Sequence, residues 1–288
     1  MPPSPLSTVL ARRGLSLHIQ PGMVRELDLL LHELFDTQPY TRHGVVLADG
    51  MCVVDLGANL GLFSLWCTTQ ARDLDIVACE PVPPLARLAE QNTRQAPSGQ
   101  VRVLACGIGA DAGRQTVRFY PRATACSSVY GDATEAQMPT LYADVDLPLE
   151  ALWSIHKGAW LLGRLSGPAY PWVRRQVIRR VLSHALATHH DHDCDFVPLS
   201  QVLDEQQLER VDLLKVDVQG SESSVFDGLR DDQWPRIQSI AMEVNRFLGP
   251  PEAEDLQERL EARGFRVTRD DSDEVAAPGS HFLYAVRP

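Results

Sequence analysis

The feature that most constrains the fold is a short apolar segment that runs into a glycine turn and then into an amphipathic helix. It reads MCVVDLGANLG over residues 51–61. Gly57 and Gly61 remove side chains where the main chain must turn tightly and approach a ligand. Because a helix follows, its partly positive N-terminus faces whatever binds there. The segment therefore predicts a strand, a turn and a helix that form a nucleotide-cofactor cradle.

An acidic residue, Asp55, lies two positions before Gly57. A dinucleotide fingerprint has a third small residue at this position, because a carboxylate would repel the pyrophosphate. A carboxylate is better suited to a cationic ligand, and S-adenosylmethionine carries both a sulfonium and an ammonium group. We therefore expect Asp55 to contact S-adenosylmethionine.

A second acidic residue, Glu80, follows the apolar run Asp75–Cys79, which is typical of a buried strand. A carboxylate at the tip of the second strand can accept hydrogen bonds from both hydroxyls of a ribose. A ribose is therefore expected and a 2′-phosphate is not. We place the contact with the adenine near Gly107, which follows the third strand. The alternative interpretation is that the glycine turn and its flanking acids only join a strand to a helix.

Composition and charge limit the class of protein. The chain has 288 residues, of which 44% are hydrophobic and 23% are charged, as in ordinary globular proteins. Its formal net charge of −11 argues against nucleic acid as the main substrate. The sequence contains no apolar run of membrane-spanning length and no leader pattern at its start, so we expect a cytosolic (cytoplasmic) protein with no membrane partner.

Alternating strand and helix patterns predict a single α/β domain over residues 1–288, with a doubly wound, seven-stranded sheet. Residues 1–50 form a lead-in with an N-terminal helix, since apolar residues recur at helical spacing between Met23 and Phe35. A short polar loop joins the last two strands, so one strand is expected to be antiparallel. The alternation stops over residues 130–195, where we predict a helical insertion that acts as a lid or recognises the acceptor.

Several polar groups in this insertion have two interpretations each. The run from His189 to Asp195 contains atoms that bind transition metals, although such runs are usually solvated turns. His156 and His184 can act as bases from a lid or be structural. A set of arginines at helical spacing can receive an acidic carrier protein or its phosphopantetheine phosphate, or form a solvated helix face. These arginines are Arg174, Arg175, Arg179 and Arg180.

Three segments and one further motif make the chain resemble the FkbM-type methyltransferase family. They read VDLGANLG at 54–61, EP at 80–81 and LKVDVQGSE at 214–222, with IAME at 240–243. The resemblance covers residues 51–286 apart from the insertion. It implies a class I methyltransferase fold, which is Rossmann-like, and O-methylation in polyketide, peptide or sugar pathways. It also implies that S-adenosylmethionine contacts Asp55, Gly57, Asn59, Gly61 and Glu80.

The acceptor side is argued from the residues themselves. A neutral alcohol is a poor nucleophile, so methyl transfer to oxygen needs a nearby base or a cation that lowers the pKa of the hydroxyl. Strand alternation places Lys215 and Asp217 on one face, Glu222 starts the next helix, and Glu243 ends the neighbouring strand. We take these four as the candidate catalytic residues.

Two roles fit the three carboxylates. Burial and mutual repulsion can raise one pKa and produce a base near neutral pH, which we favour; alternatively, the carboxylates share a divalent metal that acidifies the acceptor. A purely structural interpretation also exists. In it, Lys215 and Asp217 form a buried ion pair and Glu222 caps its own helix.

These observations predict an S-adenosylmethionine-dependent O-methyltransferase that acts on a hydroxyl of a polyketide or peptide natural-product intermediate. The substrate is expected to be a small molecule or a molecule bound to a carrier protein, and the oligomeric state is left open. The alternatives are O-methylation of a sugar hydroxyl, an NAD-dependent dehydrogenase, which Asp55 disfavours, and a non-catalytic cofactor-binding scaffold.

Overall fold

The computed structural model describes residues 15–19, 23–144, 170–245, 253–272 and 280–288. The centre of the predicted insertion, including His156, lies outside the described residues. In chain order, the strands are β1 (Cys52–Leu56), β2 (Asp75–Cys79), β3 (Gln100–Leu104), β4 (Gly107–Gly109), β5 (Gly113–Phe119), β6 (His190–Pro198), β7 (Leu213–Val216), β8 (Ser239–Asn245), β9 (Arg266–Asp270) and β10 (Ser280–Val286).

Seven of these strands form the main sheet, in the order β3-β2-β1-β7-β8-β10-β9. Neighbouring strands are parallel from β3 to β8, and β10 runs antiparallel to both β8 and β9. The predicted doubly wound, seven-stranded sheet with one antiparallel strand is therefore confirmed. The strand order reverses between β1 and β7, and ligands of such sheets bind outside the carboxyl ends of the strands at this point.

Helices cover both faces of this sheet. They are α1 (Val24–His32), α2 (Leu62–Gln70), α3 (Pro83–Thr93), α4 (Gly131–Asp144), α5 (Tyr170–Leu186), α6 (Leu199–Glu205), α7 (Glu222–Asp227) and α8 (Ala253–Ala262). Alternate residues of each strand point to opposite faces, so Val53 packs into the core formed with α2 and α3, whereas Val54 packs into the core formed with α6, α7 and α8. The N-terminal helix, α1, continues into a π-helical turn over Glu33–Thr37.

A second, small sheet has the order β4-β6-β5, in which β6 is parallel to β4 and antiparallel to β5. β5 therefore pairs with a strand that follows it only after the insertion. The expectation of a solvated turn at His189–Asp195 was wrong, because most of this run lies in β6. Cys194 and Phe196 anchor that strand in the core, and the exposed acids Asp193 and Asp195 alternate with them.

The described part of the insertion consists mainly of α4 and α5, which pack against each other. None of the helices in the described ranges is both long enough and apolar enough to cross a membrane.

Candidate active site

A cavity lies at the carboxyl ends of β1, β2, β7 and β8, where the strand order reverses. Glu80 and Asn59 line it next to the end of β2, and Asp217 and Glu243 line it next to the ends of β7 and β8, on the other side of β1. The 3₁₀ turn Thr124–Cys126 and Tyr142 of α4 also line it. The chain therefore brings residues from distant segments to one cavity at the position expected for a ligand of this fold.

Both glycines of the turn have backbone conformations that disfavour a side chain. Gly57 has φ +75°, and a Cβ atom there would lie 1.8 Å from the carbonyl oxygen of Asp217. Gly61 has φ +73°, and its Cβ would lie 2.9 Å from Cγ2 of Thr93 in α3. Close packing of the main chain therefore requires these glycines. Gly57 lines the cavity, whereas Gly61 lies at the contact between α2 and α3.

Glu80 is held rigidly in the cavity wall. Its Oε2 accepts a hydrogen bond from the main-chain N–H of Asn59 at 2.8 Å, and its Oε1 accepts one from Val82 at 2.9 Å. Burial raises the pKa of Glu80 to about 7, although these two hydrogen bonds lower it. Asn59 has φ +50°, and its Oδ1 accepts a hydrogen bond from Oγ1 of Thr124 at 3.0 Å.

Gly107 lies in the same cavity lining, as the first residue of β4. A Cβ atom at this position would lie 2.4 Å from the ring of Phe196. The strand therefore passes directly over a buried aromatic ring, and the main chain at Gly107 faces the cavity without a side chain.

Asp55 is completely buried and forms its contacts inside the protein. Its Oδ2 accepts a hydrogen bond from Oγ of Ser64 at 2.7 Å, and its Oδ1 lies 3.1 Å from Nζ of Lys215. The negative charge of Asp55 is thus balanced by Lys215, so Asp55 does not present an uncompensated charge to a ligand. Its contact with S-adenosylmethionine stays a prediction.

Lys215 is the cation that balances this charge. Its Nζ donates a hydrogen bond to the carbonyl oxygen of Gly57 at 2.8 Å and lies 3.7 Å from Oδ2 of Asp217. Burial lowers the pKa of Lys215, but the carboxylates of Asp55 and Asp217 outweigh burial and raise it above its usual value. Lys215 therefore remains an ammonium group and cannot accept a proton from an acceptor, which favours the ion-pair interpretation of this residue.

Asp217 reaches the cavity from the carboxyl end of β7. It follows the last residue of the strand, and 21% of its side chain is exposed. Its Oδ1 accepts a hydrogen bond from Nε2 of Gln219 at 2.7 Å, and its Oδ2 accepts one from the hydroxyl of Tyr40 at 3.3 Å. The carboxylate is therefore fixed in orientation and remains accessible from the cavity.

Two further acids, Glu243 and Glu33, line the cavity near Asp217. Burial raises the pKa of Glu243 well above its usual value, and the charges of Asp217 and Glu33 raise it further. Burial also raises the pKa of Glu33, to about 7, with a smaller contribution from Asp217. The charges of neighbouring carboxyl groups thus raise the pKa values of Glu243 and Glu33 beyond the effect of burial.

Glu222 is buried at the start of α7, and its Oε1 accepts a hydrogen bond from the main-chain N–H of Gly220 at 2.9 Å. Burial raises its pKa to about 8. Its carboxyl group binds the main chain of the loop before its own helix, and Gln219 and Ser221 of that loop line the cavity. This geometry favours the structural interpretation of Glu222, and its catalytic role stays a prediction.

Sequence reasoning missed several polar residues that line the cavity, among them Glu33, Tyr40 and Asn245. Glu33 and Tyr40 belong to the lead-in, where only a helix was predicted. Their sequence neighbourhood carries no motif, and they reach the site only because the lead-in packs over the sheet. Asn245 lies two residues after Glu243 on β8, so strand alternation places both on one face of the sheet. Asn245 could therefore have been predicted from the position of Glu243.

Within the described ranges, no three His, Cys, Asp or Glu side chains are arranged to hold a metal ion. The histidines and acids of β6 belong to this part of the chain. Their strand alternates between exposed and more buried positions, which separates neighbouring side chains.

Comparison with known proteins identifies the family. A family model described as the methyltransferase FkbM domain matches residues 181–267. The 31-O-demethyl-FK506 methyltransferase FkbM of Streptomyces tacrolimicus is 30% identical over 271 residues, which are 94% of this chain and 92% of that protein. The chain belongs to the FkbM methyltransferase family. The resemblance noted in the sequence is thereby confirmed, and membership implies the use of S-adenosylmethionine.

Two other relatives of this FkbM-family chain differ in overall length. Methyltransferase sdnD of Sordaria araneosa is 30% identical over 252 residues, which are 86% of this chain and 85% of that protein. The AMB antimetabolite synthetase AmbE of Pseudomonas aeruginosa is 31% identical over 271 residues. That match includes 92% of this chain but only 12% of the synthetase.

Proposed function

We propose that this FkbM-family protein transfers a methyl group from S-adenosylmethionine to a hydroxyl oxygen of a natural-product intermediate. The observation that carries the proposal is that one cavity is lined both by the hydrogen-bonded Glu80 and by the carboxyl groups of Asp217 and Glu243. A donor bound beside Glu80 brings its methyl group towards Asp217 and Glu243. The relative named for 31-O-demethyl-FK506 supports a hydroxyl as the acceptor group.

On the donor side, Glu80 accepts hydrogen bonds from the two ribose hydroxyls. Each of its carboxylate oxygens already accepts one main-chain hydrogen bond, and each retains a further lone pair. Asn59 and Gly107 line the same part of the cavity and complete the contacts with the ribose and the adenine. Because Glu80 is fixed by its own hydrogen bonds, it loses little conformational entropy when the donor binds.

The cationic groups of the donor need a negative surface, and Asp55 is already paired with Lys215. The acids that line the cavity, Asp217 and Glu33, are better placed to attract the sulfonium and ammonium groups. In this proposal Asp55 acts indirectly, since it holds Lys215 against the carbonyl oxygen of Gly57 and so fixes the turn.

On the acceptor side, Asp217 accepts the proton of the hydroxyl. The hydroxyl oxygen attacks the methyl carbon as the carbon–sulfur bond breaks, and the bonding electron pair moves to sulfur to give S-adenosylhomocysteine. The products are a methyl ether and a protonated Asp217, which passes its proton to water when the site opens. The hydrogen bonds from Tyr40 and Gln219 hold the carboxylate in one orientation for this transfer.

A carrier-bound acceptor is a second form of the same proposal. In α5, Arg175, Arg179 and Arg180 are exposed, and this helix contains no acidic residue although the whole chain has a net charge of −11. Such a basic helix complements an acidic carrier protein or the phosphate of its prosthetic arm.

The test is incubation with labelled S-adenosylmethionine and a panel of hydroxylated polyketide and peptide metabolites, each supplied free and attached to a carrier protein. We expect a methyl ether from at least one hydroxyl compound and roughly 100-fold slower transfer by Asp217→Asn. Asp212→Asn is the matched control, because Asp212 lies at the other end of β7 and binds the main chain of Cys52. Full activity of Asp217→Asn would remove it as the base, and methylation of nitrogen or carbon alone would contradict the choice of acceptor.

A further inference from the structure

Asn245, the last residue of β8, has an amide group with no hydrogen-bond partner among the described residues. Only 3% of the residue is exposed, and its Nδ2 atom is fully buried without a hydrogen-bond acceptor in that part of the chain. Asn245 is one of the residues that line the cavity, as is Glu243 two positions earlier on β8. The unpartnered amide donor thus belongs to a residue of the cavity lining at the carboxyl end of β8.

Such a group is unfavourable in a folded protein. A buried donor without a partner loses its hydrogen bonds to water and gains nothing in return, so buried polar groups are nearly always paired. A leucine, which has the same branching and the same number of side-chain heavy atoms, would avoid this cost at the same position. An asparagine that lines a cavity is therefore better explained by a partner that arrives with a ligand than by the stability of the protein.

We propose that Asn245 donates a hydrogen bond to the hydroxyl oxygen of the methyl acceptor, and that the acceptor therefore binds at the carboxyl end of β8. This inference rests on the proposed methyl transfer to oxygen. It adds the position of the acceptor and names a binding residue that specifies an oxygen nucleophile.

The valences of an alcohol oxygen agree with this arrangement. The oxygen has one O–H bond, which points to Asp217 in the proposed mechanism, and two lone pairs. One lone pair attacks the methyl carbon, and the other accepts the hydrogen bond from Nδ2 of Asn245. A primary amine poised for attack has a single lone pair, which the methyl carbon requires, so it offers the amide no acceptor; a hydroxyl is therefore the favoured chemical class.

The surroundings of Asn245 exclude a simple alternative partner among the described residues. Glu243 lies two residues earlier on the same face of β8, where successive same-face residues are separated by roughly 7 Å. Its carboxyl group is hydrogen-bonded to Ser280 on the adjacent strand β10. Asn245 lies opposite Ser280 in that ladder, and its Nδ2 atom has no hydrogen-bond partner among the described residues.

The experiment compares Asn245→Leu and Asn245→Ser with the parent protein in three measurements: the melting temperature, the affinity for S-adenosylhomocysteine by calorimetry, and kcat/KM for the hydroxyl acceptor identified by the panel. Removal of the unpartnered amide in Asn245→Leu is expected to raise Tm by roughly 2–4 °C. Affinity for S-adenosylhomocysteine is expected to stay unchanged. The value of kcat/KM is expected to fall roughly 10- to 100-fold, with partial recovery in Asn245→Ser, which keeps a donor.

Ser239→Ala is the matched control on the same strand. Ser239 is also buried, but its hydroxyl donates to the carbonyl oxygen of Asp212 at 2.6 Å, far from the cavity. This variant is expected to lower Tm and to leave kcat/KM unchanged.

Three results would overturn the inference. A lower Tm in both Asn245 variants would indicate a structural role, weaker binding of S-adenosylhomocysteine would indicate a contact with the donor, and an unchanged kcat/KM would exclude a contact with the acceptor. Failure of the proposed function would look different, because the parent protein itself would then methylate no hydroxyl compound. The Tm and calorimetry measurements would still decide between a structural, a donor and a ligand-facing role for Asn245.

Discussion

Asp55 and Lys215 lie directly opposite each other on the neighbouring strands β1 and β7, and their side chains form a buried ion pair of 3.1 Å. These two strands flank the point where the strand order reverses. Lys215 also binds the carbonyl oxygen of Gly57, so the pair joins the sheet to the glycine turn. Asp55, the acid of the glycine motif, thus holds Lys215 and the glycine turn in position from within the core.

Removal of the cation alone is expected to be strongly destabilising. Lys215→Met leaves the carboxylate of Asp55 buried without a counter-charge, which costs about 3–5 kcal/mol of unfolding free energy. Urea unfolding measures the loss. The double variant Asp55→Asn with Lys215→Met removes both charges and is expected to recover much of the stability. Strictly additive losses in the double variant would show that the two charges do not stabilise each other.

Glycine at position 57 is required by packing as well as by backbone conformation. Gly57→Ala places a methyl group 1.8 Å from the carbonyl oxygen of Asp217, so the variant is expected to unfold or to lose the cavity. Gly50→Ala is the matched control, since Gly50 has φ +78° but no atom within 4 Å of the added Cβ. The control should lose only about 1–2 kcal/mol from backbone strain. Equal thermal stability of the two variants would contradict the packing argument.

Donor binding is expected to depend on pH through Glu80. Its pKa is raised to about 7 by burial, and the ionised form is the better hydrogen-bond acceptor for the ribose hydroxyls. Affinity for S-adenosylhomocysteine should therefore increase as the pH rises through about 7. For Glu80→Gln, calorimetry between pH 6 and 8 should show a weaker affinity for S-adenosylhomocysteine that does not change with pH. Glu90→Gln, which alters an exposed acid on α3, should retain the profile of the parent protein.

Glu222 is expected to make stability depend on pH. Burial raises its pKa from the ordinary value of 4.5 to about 8 in the folded protein, so the folded state holds a proton that the unfolded state releases. Its contribution is fully present below the unfolded pKa and is lost as the pH rises to about 8, by about 1.4 kcal/mol for each pH unit between the two pKa values. The unfolding free energy of Glu222→Gln should not show this decrease with rising pH. If parent and variant lose stability in parallel from pH 5 to 8, Glu222 does not retain its proton.

Most of the architecture could be predicted from the sequence alone. Hydrophobic periodicity and glycine positions depend on neighbours within a few residues, so they predicted the strands of the main sheet, their doubly wound arrangement and the antiparallel β10. The same local signals marked Glu80, Asp217 and Glu243, because the acids that end parallel strands meet at one edge of the sheet.

Tertiary structure decided which of these acids are available to a ligand. Whether Asp55 is free or paired depends on Lys215, which is distant along the chain and becomes its neighbour only when β1 and β7 pair. Glu33, Tyr40 and Asn245 enter the site through packing of the lead-in and through the face of β8, and β6 joins β5 after a long insertion. Contacts between remote segments leave little trace in local sequence patterns, because their free energy depends on burial and charge in the assembled core.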